Sequence, residues 1–203
     1  MLFYEPRARD RSLIPHDPFK ALVAPRPIGW ISSVNAAGQV NLAPYSFFNA
    51  IGEEPPMLAF SSFGAKDSAT FAGEVREFVW NLATFDLREA MNETSAPLPR
   101  GMSEFERAGL TMAPSRLVAP PRVAESPCAM ECQVVHHVEL QDIDGRPADQ
   151  YLVIGQVVGV HLAEGALVDG TVDTAALRPI ARCGGPGDYA VVERTFQMLR
   201  PTA

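Results

Sequence analysis

The sequence predicts a mainly β protein with flanking helices, in which antiparallel strands close into a Greek-key-like barrel. Three observations lead to this fold class. Two stretches, at 27–49 and 128–162, have the composition and turn residues of β-hairpins. The chain contains 18 prolines, which disfavour a helical bundle because each removes a backbone donor. Strands and helices do not alternate strictly, which argues against a doubly wound parallel sheet, and closure into a barrel removes exposed strand edges.

The first hairpin is expected near the N-terminus. Residues 27–34 are rich in strand formers, 35–38 (Asn-Ala-Ala-Gly) form a turn signal, and 39–49 continue as an extended segment. A Pro-Pro pair at 55–56 then breaks the chain before a short apolar strand at 57–61.

Helices are expected between the strands. Asp67 is a suitable N-cap for a helix that places Phe71 and Val75 on one face, and 78–82 then has strand composition. Capping-box spacing predicts two further helix starts, at Asp86 and at Ser103, the second ending at a glycine six residues on. The proline-rich stretch that follows these helices predicts irregular structure.

The clearest alternation lies in the second half of the chain. From 128 to 140 the even positions are mostly apolar, and the same holds from 151 to 162. Both segments therefore predict strands with a buried even face, paired as a long hairpin through a turn at Asp144-Gly145. Within the first strand, His136 and His137 point to opposite faces and cannot chelate one metal, so one core and one surface histidine are expected.

Charge and cysteine content restrict the function classes. The net charge is −7 and the isoelectric point is about 5.1, which argues against a nucleic-acid or anionic-membrane surface. The three cysteines form no C-x-x-C pair, so we expect buried thiols in a reducing compartment and no metal site. The N-terminus lacks a signal-peptide pattern and no long apolar run is present, so the cytoplasm is the expected location.

Residues 61–68 (Ser-Ser-Phe-Gly-Ala-Lys-Asp-Ser) join a predicted strand to a helix N-terminus. Free N–H groups and the positive end of the helix dipole attract phosphate there, and Lys66 adds charge. The alternative is an ordinary capped helix with surface polar residues, and physical reasoning alone favours that alternative.

Residues 41–49 (Asn-Leu-Ala-Pro-Tyr-Ser-Phe-Phe-Asn) combine polar, aromatic and proline residues. Such a stretch can line a flat heteroaromatic ligand, with backbone groups left open by Pro44 bonding its edge. The alternative is a bulged strand that contributes aromatic side chains to the core, which composition alone slightly favours.

Taken together, these segments and several later ones are similar to those of a known protein family. The chain resembles the flavin reductase-like family, whose members include flavoredoxin and the reductase components of two-component flavin monooxygenases. The resemblance spans about residues 13–195, so we expect residues 1–203 to form a single domain of this kind. The matching segments are 25–33, 41–49, 66–68, 78–82, 127–132, 153–157 and 182–189.

The resemblance implies a split β-barrel that binds FMN, as a homodimer with the flavin near the subunit interface. By position, the phosphate would be surrounded by Ser61, Ser62, Lys66, Asp67 and Ser68. The ribityl chain and the isoalloxazine ring would be lined by Ser32, Ser33, Asn41, Ala43, Pro44, Tyr45, Ser46, Phe47, Phe48 and Asn49. Backbone N–H groups near 46–48 would then bond the pyrimidine edge of the ring.

The implied activity is NAD(P)H-dependent flavin reduction, with hydride passing from the nicotinamide to flavin N5. Such chemistry belongs to the cofactor and needs no protein nucleophile, consistent with the absence of a catalytic motif. Two alternatives remain: a flavoredoxin-like carrier with permanently bound FMN, and a flavin-binding module without turnover. The chain lacks the Gly-Asp-His motif of short-chain NADH:flavin reductases, so the electron donor is left open between NADH, NADPH and a protein. A monooxygenase or a redox protein is the expected partner that receives the electrons.

Overall fold

The structure is a computed structural model that describes residues 1–201. Its strands, in chain order, are β1 (Arg26–Pro27), β2 (Gly29–Val34), β3 (Val40–Tyr45), β4 (Phe48–Glu53), β5 (Pro56–Phe63), β6 (Glu77–Asn81), β7 (Met112–Ala113), β8 (Arg122–Val123), β9 (Cys128–Gln141), β10 (Pro147–Leu162), β11 (Leu167–Val168), β12 (Thr171–Val172), β13 (Ile180–Arg182) and β14 (Tyr189–Val191). Its α-helices are α1 (Phe19–Leu22), α2 (Asp67–Val75), α3 (Arg88–Glu93), α4 (Glu104–Ala108) and α5 (Thr174–Leu177), with 3-10 turns at Pro6–Ala8 and Glu164–Ala166.

Seven strands form one large antiparallel sheet in the order β3-β2-β6-β9-β10-β5-β4. Its two edge strands, β3 and β4, are consecutive in the chain and are separated only by Ser46 and Phe47. The Phe47 carbonyl accepts a hydrogen bond of 2.8 Å from the Ser61 N–H, which ties this connection to β5. The sheet therefore curls until its edges are neighbours without pairing, and the predicted mainly β split-barrel class is confirmed.

Two large apolar cores lie on the two faces of the sheet, and Val79, Val118 and Ala129 form a smaller third cluster. One contains Phe60 and Phe78, whose rings meet edge to face with centroids 5.3 Å apart, under helix α2. The other contains Trp30, Met91 and Phe105, and it anchors α3 and α4. The helices thus flank the barrel, and none within residues 1–201 is long and apolar enough to cross a membrane.

The first predicted hairpin is present, because β2 and β3 pair from Gly29 opposite Tyr45 to Val34 opposite Val40. The extended segment predicted at 39–49 is not continuous, however. It leaves the ladder after Tyr45 and re-enters a different pairing at Phe48, opposite Phe60 of β5. Strand composition alone cannot detect this change of partner, since both halves are equally extended.

Two of the three predicted helix starts need correction. Helix α2 begins at Asp67 itself, so Lys66 occupies the N-cap position and Asp67 lies in the first turn. Helix α3 begins at Arg88, with Leu87 rather than Asp86 as its N-cap. The start at Ser103 is confirmed, because the side chain of Ser103 accepts the N–H of Glu106.

The long hairpin of β9 and β10 is confirmed, but its buried face differs from the prediction. The register shifts between Val134 and His136, so Val135 is a bulge residue and the even positions beyond it turn outward. In β10 the buried residues are Val153 and Gly155, which occupy odd positions. Gly155 is paired with Val134, and directly paired residues share a face, so the partner strand determines which positions are buried.

The predicted isolated thiols and separate histidines agree with the structure. Cys128 and Cys132 are buried and free, and burial raises the pKa of the Cys132 thiol. The ring of His137 is half-buried and stacks on Tyr151 at 5.9 Å, while His136 is exposed. The two imidazoles therefore share no ligand position.

A buried carboxylate links the sheet to the irregular segment before β8. Glu131 in β9 is fully buried and lies 2.5 Å from the Nε2 atom of His161 in β10. It also accepts the N–H groups of Arg116 and Leu117 at 2.8 and 2.6 Å. Burial alone would raise the pKa of Glu131, but the hydrogen bonds from His161 and the two amides hold it below its usual value.

We expect Glu131→Gln to lower the free energy of unfolding by about 2–4 kcal/mol at pH 7, because His161 and the amides of Arg116 and Leu117 lose their charged acceptor. A carboxyl with a lowered pKa stabilises the fold above its ordinary pKa, and that stability is lost as pH falls through the folded-state value. The difference in free energy of unfolding between wild type and variant should therefore shrink below about pH 4.

Urea unfolding at several pH values measures this difference, with Glu139→Gln on the exposed part of β9 as control. Equal stability of wild type and Glu131→Gln at pH 7 would contradict this role.

Candidate functional site

A cavity of about 500 Å³ lies between β3, the start of α2 and the segment that follows α3. This volume is within the range of small-molecule sites in proteins. The residues that line it are Asn41, Ala43, Pro44, Tyr45, Lys66, Asp67, Ser68, Thr94, Ser95, Ala96, Pro97, Leu98 and Glu104.

One wall of the cavity is the free edge of β3. The Leu42 N–H donates 3.1 Å to the Oε2 atom of Glu104 instead of to a strand, so this side of β3 faces away from β2. Alternate residues of a strand direct their backbone groups to the same side, which places the nitrogen of Pro44 on the free edge as well. Proline is tolerated there because no ladder bond is lost. The edge therefore remains open to a ligand.

A second wall is the N-terminus of α2. Lys66 is its N-cap, is extended, and makes no side-chain capping bond. The N–H groups of the first turn of a helix have no intrahelical acceptor and carry the positive end of its dipole. The Lys66 side chain is exposed and enters no ion pair within residues 1–201. This end of the cavity is suited to an anion.

Asp67 would oppose an anion at that place, but its charge is compensated. The Oδ1 atom of Asp67 accepts from Arg100 Nε at 2.9 Å and from Arg100 Nη2 at 2.6 Å. The guanidinium also lies 5.8 Å from the ring centroid of Phe71. The pair keeps Asp67 directed to Arg100, so the ammonium of Lys66 remains the uncompensated charge on this wall.

Buried hydroxyls and an amide form the floor beneath the helix start. The Nδ2 atom of Asn41 donates to the Oγ atom of Ser68 at 2.7 Å. The Tyr45 hydroxyl is within hydrogen-bonding reach of Ser68 and Ser62, and burial raises the pKa of Tyr45. This network joins β3, β5 and α2; its hydrogen bonds lower the pKa of the phenol, and the larger effect of burial raises it.

Glu104 is the buried acid of the cavity. Its side chain is bound to the Leu42 N–H, and burial raises its pKa above the usual glutamate value. Thr94 closes the adjacent wall, since its Oγ1 atom accepts from Trp30 Nε1 at 3.0 Å and donates to the Met91 carbonyl at 2.7 Å. Segment 94–98 is thereby fastened to the core behind the cavity.

The comparison with known proteins agrees with this architecture. Residues 22–176 match the family model described as a flavin reductase like domain. The chain belongs to the flavin reductase-like family. An uncharacterised protein of Halalkalibacterium halodurans is 40% identical over 185 residues, which cover 89% of this chain and 88% of that protein.

Two solved structures are close to this flavin reductase-like protein. Nitrilotriacetate monooxygenase component B from Bacillus cereus is 33% identical, with a TM-score of 0.88 and 98% of each chain covered. The 2-nitrobenzoate 2-nitroreductase of Pseudomonas fluorescens is 28% identical, with a TM-score of 0.80, and the match covers 91% of this chain and 89% of that one. The fold is thus shared along nearly the whole chain.

The predicted site residues of the flavin reductase-like chain divide into three groups. The cavity brings together Asn41, Ala43, Pro44, Tyr45, Lys66, Asp67 and Ser68. Ser46 lines a neighbouring cavity of about 280 Å³ that shares Pro44 and Ser95 with the first. The structure leaves Ser32, Ser33, Phe47, Phe48, Asn49, Ser61 and Ser62 outside the lining of both cavities.

Aromatic packing explains the position of two of these outlying residues. Phe48 packs against the core and stacks on Trp80, with ring centroids 5.9 Å apart. A Cβ at Gly29 would lie 2.6 Å from the Phe48 ring, so the glycine makes room for it. Phe47 stacks on Phe19 of α1 at 6.4 Å. Both rings therefore have protein partners.

The outlying polar residues also have local roles. Ser32 is buried and donates to the Pro121 carbonyl, and Ser61 accepts from the Gln150 side chain at 2.6 Å. Ser62 belongs to the floor network described above, and Asn49 is exposed. Ser33 is fully buried, and its hydroxyl has no partner within residues 1–201.

Sequence reasoning missed three contributors to the cavity: segment 94–98, Arg100 and Glu104. The prolines at 97 and 99 lie between the two predicted helices, but proline content does not indicate which cavity a segment borders. Glu104 resembles an ordinary first-turn helix acid. Only its contact with Leu42, 62 positions earlier, reveals its place.

We expect Glu104→Gln to alter how stability depends on pH. Because its folded-state pKa is raised, Glu104 keeps its proton to a higher pH in the folded protein than in the unfolded chain. Its contribution to the free energy of unfolding therefore falls as pH rises above about 4.5. Glutamine keeps an acceptor for Leu42 and carries no charge. Wild type and variant should agree within about 1 kcal/mol near pH 4, and the variant should be the more stable at pH 7–8.

Urea unfolding between pH 4 and pH 8 measures this effect, with Glu106→Gln, an exposed position of α4, as the matched control. A constant difference between wild type and Glu104→Gln across that range would show that burial does not disfavour the ionised form.

Proposed function

We propose that this protein binds FMN in the 500 Å³ cavity and acts as an NAD(P)H-dependent flavin reductase. One observation carries the proposal: an uncompensated lysine at a free helix start lies across one cavity from an open strand edge. A flavin mononucleotide has the matching parts, a phosphate and a flat ring with hydrogen-bonding edges. Membership of the flavin reductase-like family supports the same assignment.

The phosphate end fits the residues that are present. Lys66 and the first-turn N–H groups of α2 supply donors, and Ser68 adds a hydroxyl. The carboxylate of Asp67 is engaged by Arg100, which limits its repulsion of a dianion. In a chain of net charge −7, this local arrangement supplies the attraction that the overall charge does not.

The ring end fits the edge of β3. Ala43 has a small side chain, and Pro44 presents a carbonyl without a competing N–H, so a planar ligand can approach the backbone. Segment 94–98 lines the same cavity, so a bound ligand would contact it as well as β3. When bound, the flavin supplies the hydride-accepting centre, and the chain supplies position and electrostatics.

Two weak acids of the cavity, Tyr45 and Glu104, have structural partners. Tyr45 is protonated within the floor network, and Glu104 is bound to the Leu42 amide. Neither is placed as a nucleophile. The residues therefore orient the cofactor and hold its charge, as the proposed hydride transfer requires.

The decisive experiment uses purified protein with added FMN and measures NADH and NADPH oxidation at 340 nm. We expect flavin-dependent turnover with at least one nucleotide. A yellow protein that neither nucleotide reduces, but that a redox protein does reduce, would replace this proposal with the electron-carrier alternative. Absence of any flavin binding would overturn both.

We also propose that the reduced flavin serves a flavin-dependent monooxygenase. The similarity to nitrilotriacetate monooxygenase component B supports this partner class. In the same assay, addition of a reductase-requiring monooxygenase should yield hydroxylated product only when this protein, a nicotinamide nucleotide and flavin are all present. Product formation that does not depend on this protein would argue against the partnership.

Lys66→Ala tests the phosphate position directly. Loss of one charge-assisted contact should weaken FMN binding by about 1.5–3 kcal/mol, a factor of roughly ten or more in Kd. Riboflavin, which lacks the phosphate, should bind wild type and variant equally. Lys20→Ala removes the chain's other lysine, outside the cavity lining, and is the matched control. Fluorescence titration gives all these constants, and unchanged FMN affinity would remove Lys66 from the site.

A further inference from the structure

A separate cavity of about 580 Å³ lies between segment 116–127, which precedes β9, and the end of β10. It is larger than the proposed flavin cavity and shares no lining residue with it. We call it the arginine cavity, and its lining consists of Arg116, Leu117, Arg122, Ala124, Ser126, Pro127, Gly159, Val160, His161, Leu162 and Ala163. The proposed flavin chemistry gives this cavity no role.

The arginine cavity carries positive charge that no acid neutralises. Within residues 1–201, its lining contains two arginines, one histidine and no carboxylate. The same part of the chain places no carboxylate within 4.0 Å of the guanidinium of Arg116 or Arg122. The nearest acid in the sequence, Glu125, is directed elsewhere, since it accepts the Thr111 N–H at 3.0 Å. In a chain of net charge −7, this local charge favours an anionic ligand.

One of the two guanidiniums is held in place by the chain. The Nε atom of Arg122 donates 3.2 Å to the Pro114 carbonyl. A guanidinium has five N–H donors, so this bond fixes the side chain and leaves the Nη donors for a ligand. A group that is already ordered loses less conformational entropy when a ligand binds.

The buried Glu131 carboxylate organises the inner wall of the arginine cavity. Its Oε1 atom accepts the Arg116 N–H at 2.8 Å and lies 2.5 Å from the Nε2 atom of His161. Its Oε2 atom accepts the Leu117 N–H at 2.6 Å. Because Glu131 engages Nε2, the imidazole has a fixed orientation, and Nδ1 is the ring nitrogen that remains for a ligand. One carboxylate therefore positions both the backbone of Arg116 and the ring of His161.

Apolar side chains line the arginine cavity beside these polar groups. Leu117, Val160 and Leu162 are each between 44% and 58% exposed. A bare inorganic ion would leave this apolar surface in water, whereas a ligand with a carbon chain would cover it. The cavity is thus suited to an organic anion.

We propose that the arginine cavity binds a small organic dicarboxylate, with a carboxylate at each guanidinium and the carbon chain against Leu117 and Val160. The planar fork of a guanidinium matches a carboxylate through two parallel hydrogen bonds, and two guanidiniums match two carboxylates. The fixed ring of His161 adds a third polar group to the same lining. The inference does not rest on the proposed function, because the two cavities have no residue in common.

Calorimetric titration of glutarate into the FMN-supplemented protein tests this site. Wild type should bind glutarate about ten-fold more tightly than butyrate, which has one carboxylate, and more tightly than inorganic phosphate, which has no carbon chain. Arg116→Gln and Arg122→Gln should each weaken glutarate binding by about ten-fold. Arg116→Gln retains the backbone bond to Glu131, so the fold is preserved. Arg194→Gln, at an exposed position outside the lining, is the matched control.

Three results of the titration would overturn the proposal. They are no binding of glutarate, equal binding of butyrate or inorganic phosphate, and unchanged glutarate affinity in both arginine variants. Normal glutarate binding by a protein that fails to bind FMN would reject the proposed function and support this site. The reverse result would reject this site alone.

Nuclear magnetic resonance of the imidazole nitrogens locates the bound dicarboxylate. The chain has four histidines, and His161→Gln, which keeps a donor for Glu131, identifies the His161 signals by their loss. Glutarate should shift the His161 signals and leave those of the exposed His136 unchanged. The Lys66→Ala variant should show the same shift as wild type, because Lys66 lines only the flavin cavity. A glutarate response that requires Lys66 would assign the dicarboxylate to the flavin cavity and overturn the proposal.

Discussion

Strand β3 ends the seven-stranded sheet without a strand partner on its outer side, and a helix carboxylate accepts the Leu42 N–H there. Most barrels remove such edges by complete closure, because unpaired edges invite association. Here the chain passes from β3 to β4 through only two residues, and the two edges stay apart. The resulting slit provides the backbone wall of the cavity. The opening at Pro44 depends on this incomplete closure.

The distribution of charge determines which ligands the slit can bind. The chain carries 24 acidic and 17 basic side chains, so an anionic ligand needs local compensation. The start of α2 supplies it by engaging Asp67 with Arg100 and leaving Lys66 free. Within the slit, the attraction for an anion is therefore local to the start of α2 on a molecule of negative net charge.

Several elements were predictable because they depend on neighbours in sequence. The turn at 35–38, the capped start at Ser103 and the extended segments of β2, β9 and β10 agree with local composition. Prediction from local sequence failed where a contact between residues far apart in the chain determines the structure. The bulge at Val135 moves the residues after it in β9 to the opposite face of the sheet, and no residue type in that strand predicts the bulge. Likewise, the aromatic pair at 47–48 has ring-binding composition, but packing against Phe19 and Trp80 occupies both rings.

By itself, the sequence determined the mainly β class, the principal hairpins and the absence of a protein nucleophile motif. It also predicted segments 41–49 and 61–68 as walls of one site, and the cavity takes its lining from the 41–45 and 66–68 parts of them. Short-range alternation, turn residues and helix-start signals carry that information, because they act within a few positions of one another. The tertiary structure alone decided which edge stays open and that Glu104 and segment 94–98 complete the cavity. These features arise where segments distant in the chain meet, as at Leu42 and Glu104, 62 positions apart, and residue spacing cannot encode which surfaces will pack together.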